Sequence, residues 1–189
     1  MAESSTSRIQ DVRTLRAVAH PLRVRLLAAL RVDGPATASQ LGRRFSESSG
    51  STSYHLRQLA RFGFVEEDPD QPNARDRRWR AAHAFTSWRD SDFAENEEGQ
   101  AAIRFIRARQ RDNLNRVAEN FQTEDWDQTW RDAAGMSDLV AQLSPASLTA
   151  LDNQIITLVR QYEARDAHAP DAERVAIWLA GYPVREYPT

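Results

Sequence analysis

Residues 50–67, GSTSYHLRQLARFGFVEE, constrain the fold more than any other stretch of this chain. Thr52, Leu56 and Leu59 recur at i, i+4 and i+7, the spacing that lines three side chains along one stripe of an α-helix. Gly50, Ser53, Tyr54, Arg57 and Arg61 fall on the opposite side. That outer face is small at its N-terminal end and basic farther along. Gly63 is suited to the left-handed conformation that ends helices, and Phe64-Val65 then opens an extended segment. The pattern predicts an amphipathic helix with one buried stripe that runs directly into a strand.

The flanking sequence supplies the elements such a helix packs against. A helix is expected over residues 9–19. Pro21 begins a second, in which Leu22, Leu26 and Leu30 form an i, i+4, i+8 stripe and Asp33-Gly34-Pro35 marks the end. Residues 36–45, ATASQLGRRF, read as a third, and residues 46–49 as a turn. Strands are expected at 64–68 and 77–82, joined by the polar, proline-bearing loop DPDQPNAR. Helix, helix, helix–turn–helix and hairpin together make a winged helix-turn-helix.

Composition changes after Ala82. A single helical pattern spans residues 92–122, about 30 residues or roughly 45 Å at about 1.5 Å per residue. Ile103, Ile106, Leu114, Val117 and Phe121 lie on its stripe, interrupted by Gln110. A helix of this length exceeds what a small domain needs to cover itself, and such helices often pair with their own copy. These five residues are therefore the candidate dimerisation set. Farther on, a short strand is expected at 138–143. Ser144-Pro145 signals a helix start with a serine cap and proline in the first turn. The run RVAIWLAGYPV reads as a buried strand. The expected architecture is mainly α (α+β): residues 1–8 disordered, a winged helix-turn-helix over 9–90, and a dimerisation and candidate effector region over 91–189 with a small strand–helix–strand unit.

Charge divides the same way. From Arg8 to Ala82 there are 14 arginines against 8 acids, net +6; from His83 to the end there are 11 against 18, net −7. The basic half is where a polyanion would sit. All 25 basic residues are arginine, and there is no cysteine, which excludes disulfides, thiolate metal sites and a cysteine nucleophile. No apolar run approaches the roughly 18 residues a membrane span needs. The polar opening MAESSTSR lacks a signal peptide's apolar region. A cytoplasmic location with no membrane partner is the expectation.

The first half resembles the ArsR-like family of bacterial winged-helix regulators. HPLRVRLLAAL in the second helix and GSTSYHLRQLARFGFVEE from recognition helix to wing carry the resemblance, which covers residues 9–82. It implies a homodimer on a near-palindromic operator in double-stranded DNA, usually a repressor released by an effector. Departures limit what carries over. Members that sense soft metals have a cysteine pair near the third helix, where this chain reads ATASQLGRRF. Members that sense zinc or nickel use histidine clusters in the last helices, and the long helix here has no histidine. Metal sensing therefore does not carry over, and no metal site or cofactor is expected. His83 and His168 have no partner at ligand spacing. A small-molecule effector remains a candidate partner.

Within that reading, Arg57 and Arg61 are either DNA contacts or solvated arginines. Ser51, Ser53 and Tyr54 either touch DNA or serve the helix end. His55, off the core stripe, is either packed at the boundary or a base contact. Arg43 and Arg44, which end the positioning helix, and Arg75, Arg77, Arg78 and Arg80 around the wing are candidates for phosphate contact. Trp126, Trp130, Trp178 and Tyr182 are either core filling or the lining of a ligand pocket. No G-x-S-x-G, phosphate loop or H-E-x-x-H occurs, so an enzyme is not expected. The alternative to a DNA-binding regulator is a winged-helix protein-interaction module that does not touch DNA.

Overall fold

The computed structural model describes residues 6–71, 77–83 and 85–186. It forms two compact units, Met1–Arg111 and Asp112–Thr189.

The first unit is built on four helices. α1 (Val12–Val18) is capped by Asp11, whose carboxylate accepts the Thr14 N–H at 2.9 Å. α2 (Pro21–Val32) begins at the expected proline, with His20 as its cap. α3 (Ala38–Phe45) opens on a capping box. The Thr37 hydroxyl accepts the Gln40 N–H at 3.2 Å, and the Gln40 side chain accepts the Thr37 N–H at 2.8 Å. Thr-x-x-Gln is the sequence signature of that box. It starts the helix two residues later than residue 36 and frees Ala36–Thr37 to form strand β2.

α4 (Ser49–Arg61) follows a tight turn through Ser46, which has φ 57°. Gly42 makes this turn possible. A Cβ there would lie 2.9 Å from the Glu47 carbonyl oxygen and 3.3 Å from Thr52 Oγ1, so α3 and α4 approach through a position that only glycine fits without displacement. At the far end Gly63 takes φ 73°, the left-handed stop read from the sequence.

β3 (Val65–Glu67) and β4 (Arg78–Ala81) form the expected hairpin, slightly shorter than 64–68 and 77–82. β2 adds on the far side of β4, giving an antiparallel sheet in the order β2-β4-β3. A second, parallel pair was not expected: β1 (Thr6–Arg8) lies beside β5 (Phe85–Ser87), with Ser7 opposite Thr86. Residues 6–8, expected to be disordered, are thus a strand, and residues 1–5 lie outside the described residues. Arg31, half-buried at the end of α2, holds the approach to β5. Its Nε donates to the His83 carbonyl at 3.0 Å and its NH2 to Thr86 Oγ1 at 2.5 Å. Burial pushes its pKa down to about 10.

α5 (Glu97–Thr123) crosses from one unit into the other. Its first half belongs to the core of the first unit, where Ile103 and Ile106 are 1% and 6% exposed beside Leu15, Leu26, Leu56, Leu59, Phe64 and Phe93. This corrects the expectation that Ile103 and Ile106 need a partner chain, because their own domain already covers them. Leu114 and Phe121 are half-buried, and Val117 is exposed. The units divide at Arg111, inside the helix, whereas composition shifts earlier, after Ala82.

The second unit contains the end of α5, a short α6 (Gln128–Ala133) and α7 (Pro145–Asp166), which starts at the Ser144 cap and Pro145 as read. Among the described residues no strand follows β5. The strands expected at 138–143 and in RVAIWLAGYPV are not formed, and the strand–helix–strand unit reduces to its helix. A strand exists only through ladder hydrogen bonds to a neighbouring strand, and among the described residues neither segment pairs with one; Leu139, Val140, Val175 and Ile177 stand exposed.

Candidate nucleic-acid interface

The inner stripe of α4 is sealed: Thr52, Leu56 and Leu59 are each 0% exposed. Ser48 caps the helix, accepting the Ser51 N–H at 3.1 Å through its hydroxyl and the Thr52 hydroxyl at 3.0 Å through its carbonyl. The cap is therefore Ser48, a residue the sequence reading left in the turn, although a serine three residues before another polar residue at a helix start is a readable signal. With the stripe fixed, the opposite face turns outward. Tyr54, Arg57 and Arg61 are exposed, and Ser51 and Ser53 are half-buried.

His55 lies between these faces. Its ring stacks on His20 with centroids 4.5 Å apart, and Tyr54 meets it edge-on at 5.1 Å. This is the boundary packing considered for it. Both imidazoles titrate below the usual histidine range, first because burial disfavours the charged form and then because Arg23 is nearby. His20 Nδ1 accepts the Leu22 N–H at 3.2 Å, so its role as cap requires that nitrogen unprotonated.

The arginines separate into two groups. On the wing, Arg80 pairs with Glu66 at 2.6 Å, its direct cross-strand partner. Arg77 pairs with Glu67 at 3.3 Å and lies over the Trp79 ring. Arg78 donates to the Pro35 carbonyl at 2.9 Å and lies 3.6 Å from the buried Asp68 carboxylate. Arg44, at the end of α3, pairs with Asp33. By contrast, among the described residues no carboxylate pairs with Arg43, Arg57 or Arg61, and all three are exposed. Among the described DNA-contact candidates, the arginines without a carboxylate partner thus sit on α3 and α4 rather than on the hairpin strands. Arg75 lies outside the described residues.

The aromatic residues of the second unit are only partly gathered. Trp126 packs near Phe121 at 5.9 Å and Trp130 at 6.1 Å between ring centroids. Trp178 is half-buried, and Tyr182 is 70% exposed. A small hollow in this unit is lined by residues of α7 such as Asn153, Thr157 and Leu158, not by these four. Among the described residues no group of three or more His, Cys, Asp or Glu is arranged to hold a metal ion, and no helix is long and apolar enough to cross a membrane.

Residues 18–68, from the end of α1 through β3, match the family model of a helix-turn-helix domain. No curated protein matches the chain. Similar solved structures include HlyU from Vibrio cholerae, at 26% identity over 38% of this chain and 74% of that one, with TM-score 0.33. An ArsR family transcriptional regulator is 23% identical over 56% and 91%, with TM-score 0.33. A MarR family transcription regulator is 21% identical over 85% and 82%, with TM-score 0.35. The domain match spans α2, α3, α4 and β3, and the first unit therefore contains a helix-turn-helix domain, with an antiparallel hairpin directly after α4.

Proposed function

We propose that the protein is a sequence-specific DNA-binding transcriptional regulator, acting as a homodimeric repressor on a near-palindromic operator. The observation that carries this reading is the orientation of α4: its apolar stripe is fully buried, so Tyr54, Arg57 and Arg61 are held outward on a rigid helix. A helix presented this way enters a major groove, and its side chains reach base edges while flanking arginines take phosphates. Arg43 and Arg61 are the phosphate candidates with no internal partner to give up. Leu114, Val117 and Phe121 on the second half of α5 form the dimer seam in this reading.

Fluorescence anisotropy on duplexes selected from a random pool tests it. Three unpaired arginines per protomer make six per dimer, which corresponds to an affinity loss of roughly 10³-fold between roughly 50 and 200 mM salt. Arg57→Ala should flatten the preference among sequences, and Arg43→Ala should weaken all duplexes alike. Absence of duplex binding at low salt would sink the proposal.

One observation favours the second reading, a winged-helix interaction module. Glu66, Glu67 and Asp68 neutralise Arg80, Arg77 and Arg78, so the described part of the hairpin offers little free charge to a phosphate backbone. Under that reading the selected pool yields no preferred sequence, and salt dependence is shallow.

A further inference from the structure

A groove of about 810 Å³ opens in the first unit between α1, α2, the end of α4 and the start of α5. Its walls carry four arginines: Arg13 and Arg16 from α1, Arg23 from α2 and Arg61 from α4. Its floor is apolar, formed by Phe62, Ala102 and Phe105. One carboxylate, Glu98, faces them and is engaged by Arg16 at 2.6 Å. Among the described residues no carboxylate pairs with Arg13, Arg23 or Arg61. Arg23 is the telling member. One terminal nitrogen donates to the Arg16 carbonyl at 3.2 Å, while its Nε is shielded from solvent and has no hydrogen-bond partner. A guanidinium donor left unsatisfied away from water is costly, so the guanidinium gains by turning its donors toward an anion in the groove that its side chain lines.

We infer that this groove binds a small organic anion with an apolar body, a carboxylate whose head group meets Arg23 and Arg13 and whose hydrocarbon lies on Phe62, Ala102 and Phe105. Size agrees, because ligand sites of a few hundred to about a thousand Å³ with a few converging polar groups on an apolar lining are typical of small molecules. The site borders the C-terminal turn of α4 through Arg61, which the proposed function uses for phosphate. Occupancy therefore competes with DNA for that cation, so the inferred regulation rests on the DNA-binding reading while the binding itself does not.

The test is titration of the full-length protein with octanoate and benzoate, without DNA, followed by the arginine Nε–H resonances in NMR. Shifts confined to Arg13, Arg16, Arg23 and Arg61 are expected. Octanamide and benzamide should bind more weakly by roughly tenfold to a hundredfold, the loss of a charge-assisted hydrogen bond. Arg23→Gln should lose the carboxylates to the same degree, and Ala101→Trp, at an exposed position on the groove's edge, should block them. Circular dichroism melts show whether either variant has simply failed to fold; together the two keep the test open if one does. Inorganic phosphate binding as well as octanoate would overturn the inference, since the floor would then contribute nothing. So would groove resonances that shift with protein concentration alone, which would mean that a second copy occupies the groove, or carboxylate binding indifferent to Arg23→Gln. Anisotropy with DNA is run separately: failure of DNA binding with intact carboxylate binding removes the regulatory consequence and leaves the site.

Discussion

α4 and α7 carry the same kind of apolar stripe and end in opposite conditions. Thr52, Leu56 and Leu59 of α4 are completely buried, whereas Leu151, Leu158 and Tyr162 of α7 are 40%, 50% and 51% exposed. The contrast extends to the units that hold them. Among the described residues every buried hydrophobic residue of the core lies between Ile9 and Ile106, and neither α6 nor α7 buries any residue. Helical periodicity therefore reports which face is apolar and leaves open what covers it. In the first unit α1, α2 and α3, the sheet and the start of α5 supply the cover.

The largest expected effect tests this contrast directly. Leu56→Ala should destabilise the protein by about 2–5 kcal/mol, as cavity-forming core truncations do. Leu158→Ala in dilute protein should remain within about 0.5 kcal/mol, as at exposed positions. Chemical denaturation of both variants at several protein concentrations measures this. A Leu158→Ala penalty that grows with concentration would break the contrast by revealing an intermolecular cover.

Val117→Glu comes next. If the second half of α5 pairs with a second copy, each buried valine contributes about 1.5–3 kcal/mol. The variant should then be a folded monomer by light scattering, with normal far-ultraviolet dichroism. Wild-type protein that is already monomeric at tens of micromolar, yet binds DNA with full affinity, would rule the pairing out. Ile106→Glu does not serve this purpose, because Ile106 lies in the core and the change would unfold the first unit.

Gly42→Ala sharpens the account of the turn. Its new methyl meets the Glu47 backbone at 2.9 Å, and backbone yields less readily than a side-chain tip. Overpacking of this kind costs about 1–3 kcal/mol, to be read as a lower melting temperature.

The smallest effect belongs to the stacked histidines. Both are depressed by burial, so the unfolded chain binds protons more readily than the folded one. Stability should be complete above the ordinary histidine value of 6.5 and decline as pH falls from there toward the lower folded values. His55→Phe should reduce that decline in melts measured across the same range. An unchanged pH profile would mean that the pair does not titrate with folding.

Much of the first unit was legible because its signals are local. A helix bonds each N–H to a carbonyl four residues back, so Leu56, Leu59, Gly63 and Pro21, and in the second unit the Ser144-Pro145 start, could be read from neighbours a few residues apart. The outward placement of Tyr54, Arg57 and Arg61 followed from the same periodicity. What the fold alone decided depends on residues far apart in the chain. Strands require a partner at any distance along the chain, so β1 against β5 and β2 against β4 were invisible, while 138–143 and RVAIWLAGYPV read as strands without forming any. Charge is also settled in three dimensions: the eight arginines read as DNA-contact candidates look alike in sequence, yet register places Arg80 against Glu66, while no carboxylate among the described residues pairs with Arg57. The groove around Arg23 belongs to the same class, since Arg13, Arg61 and Phe105 meet only when α1, α4 and α5 pack together.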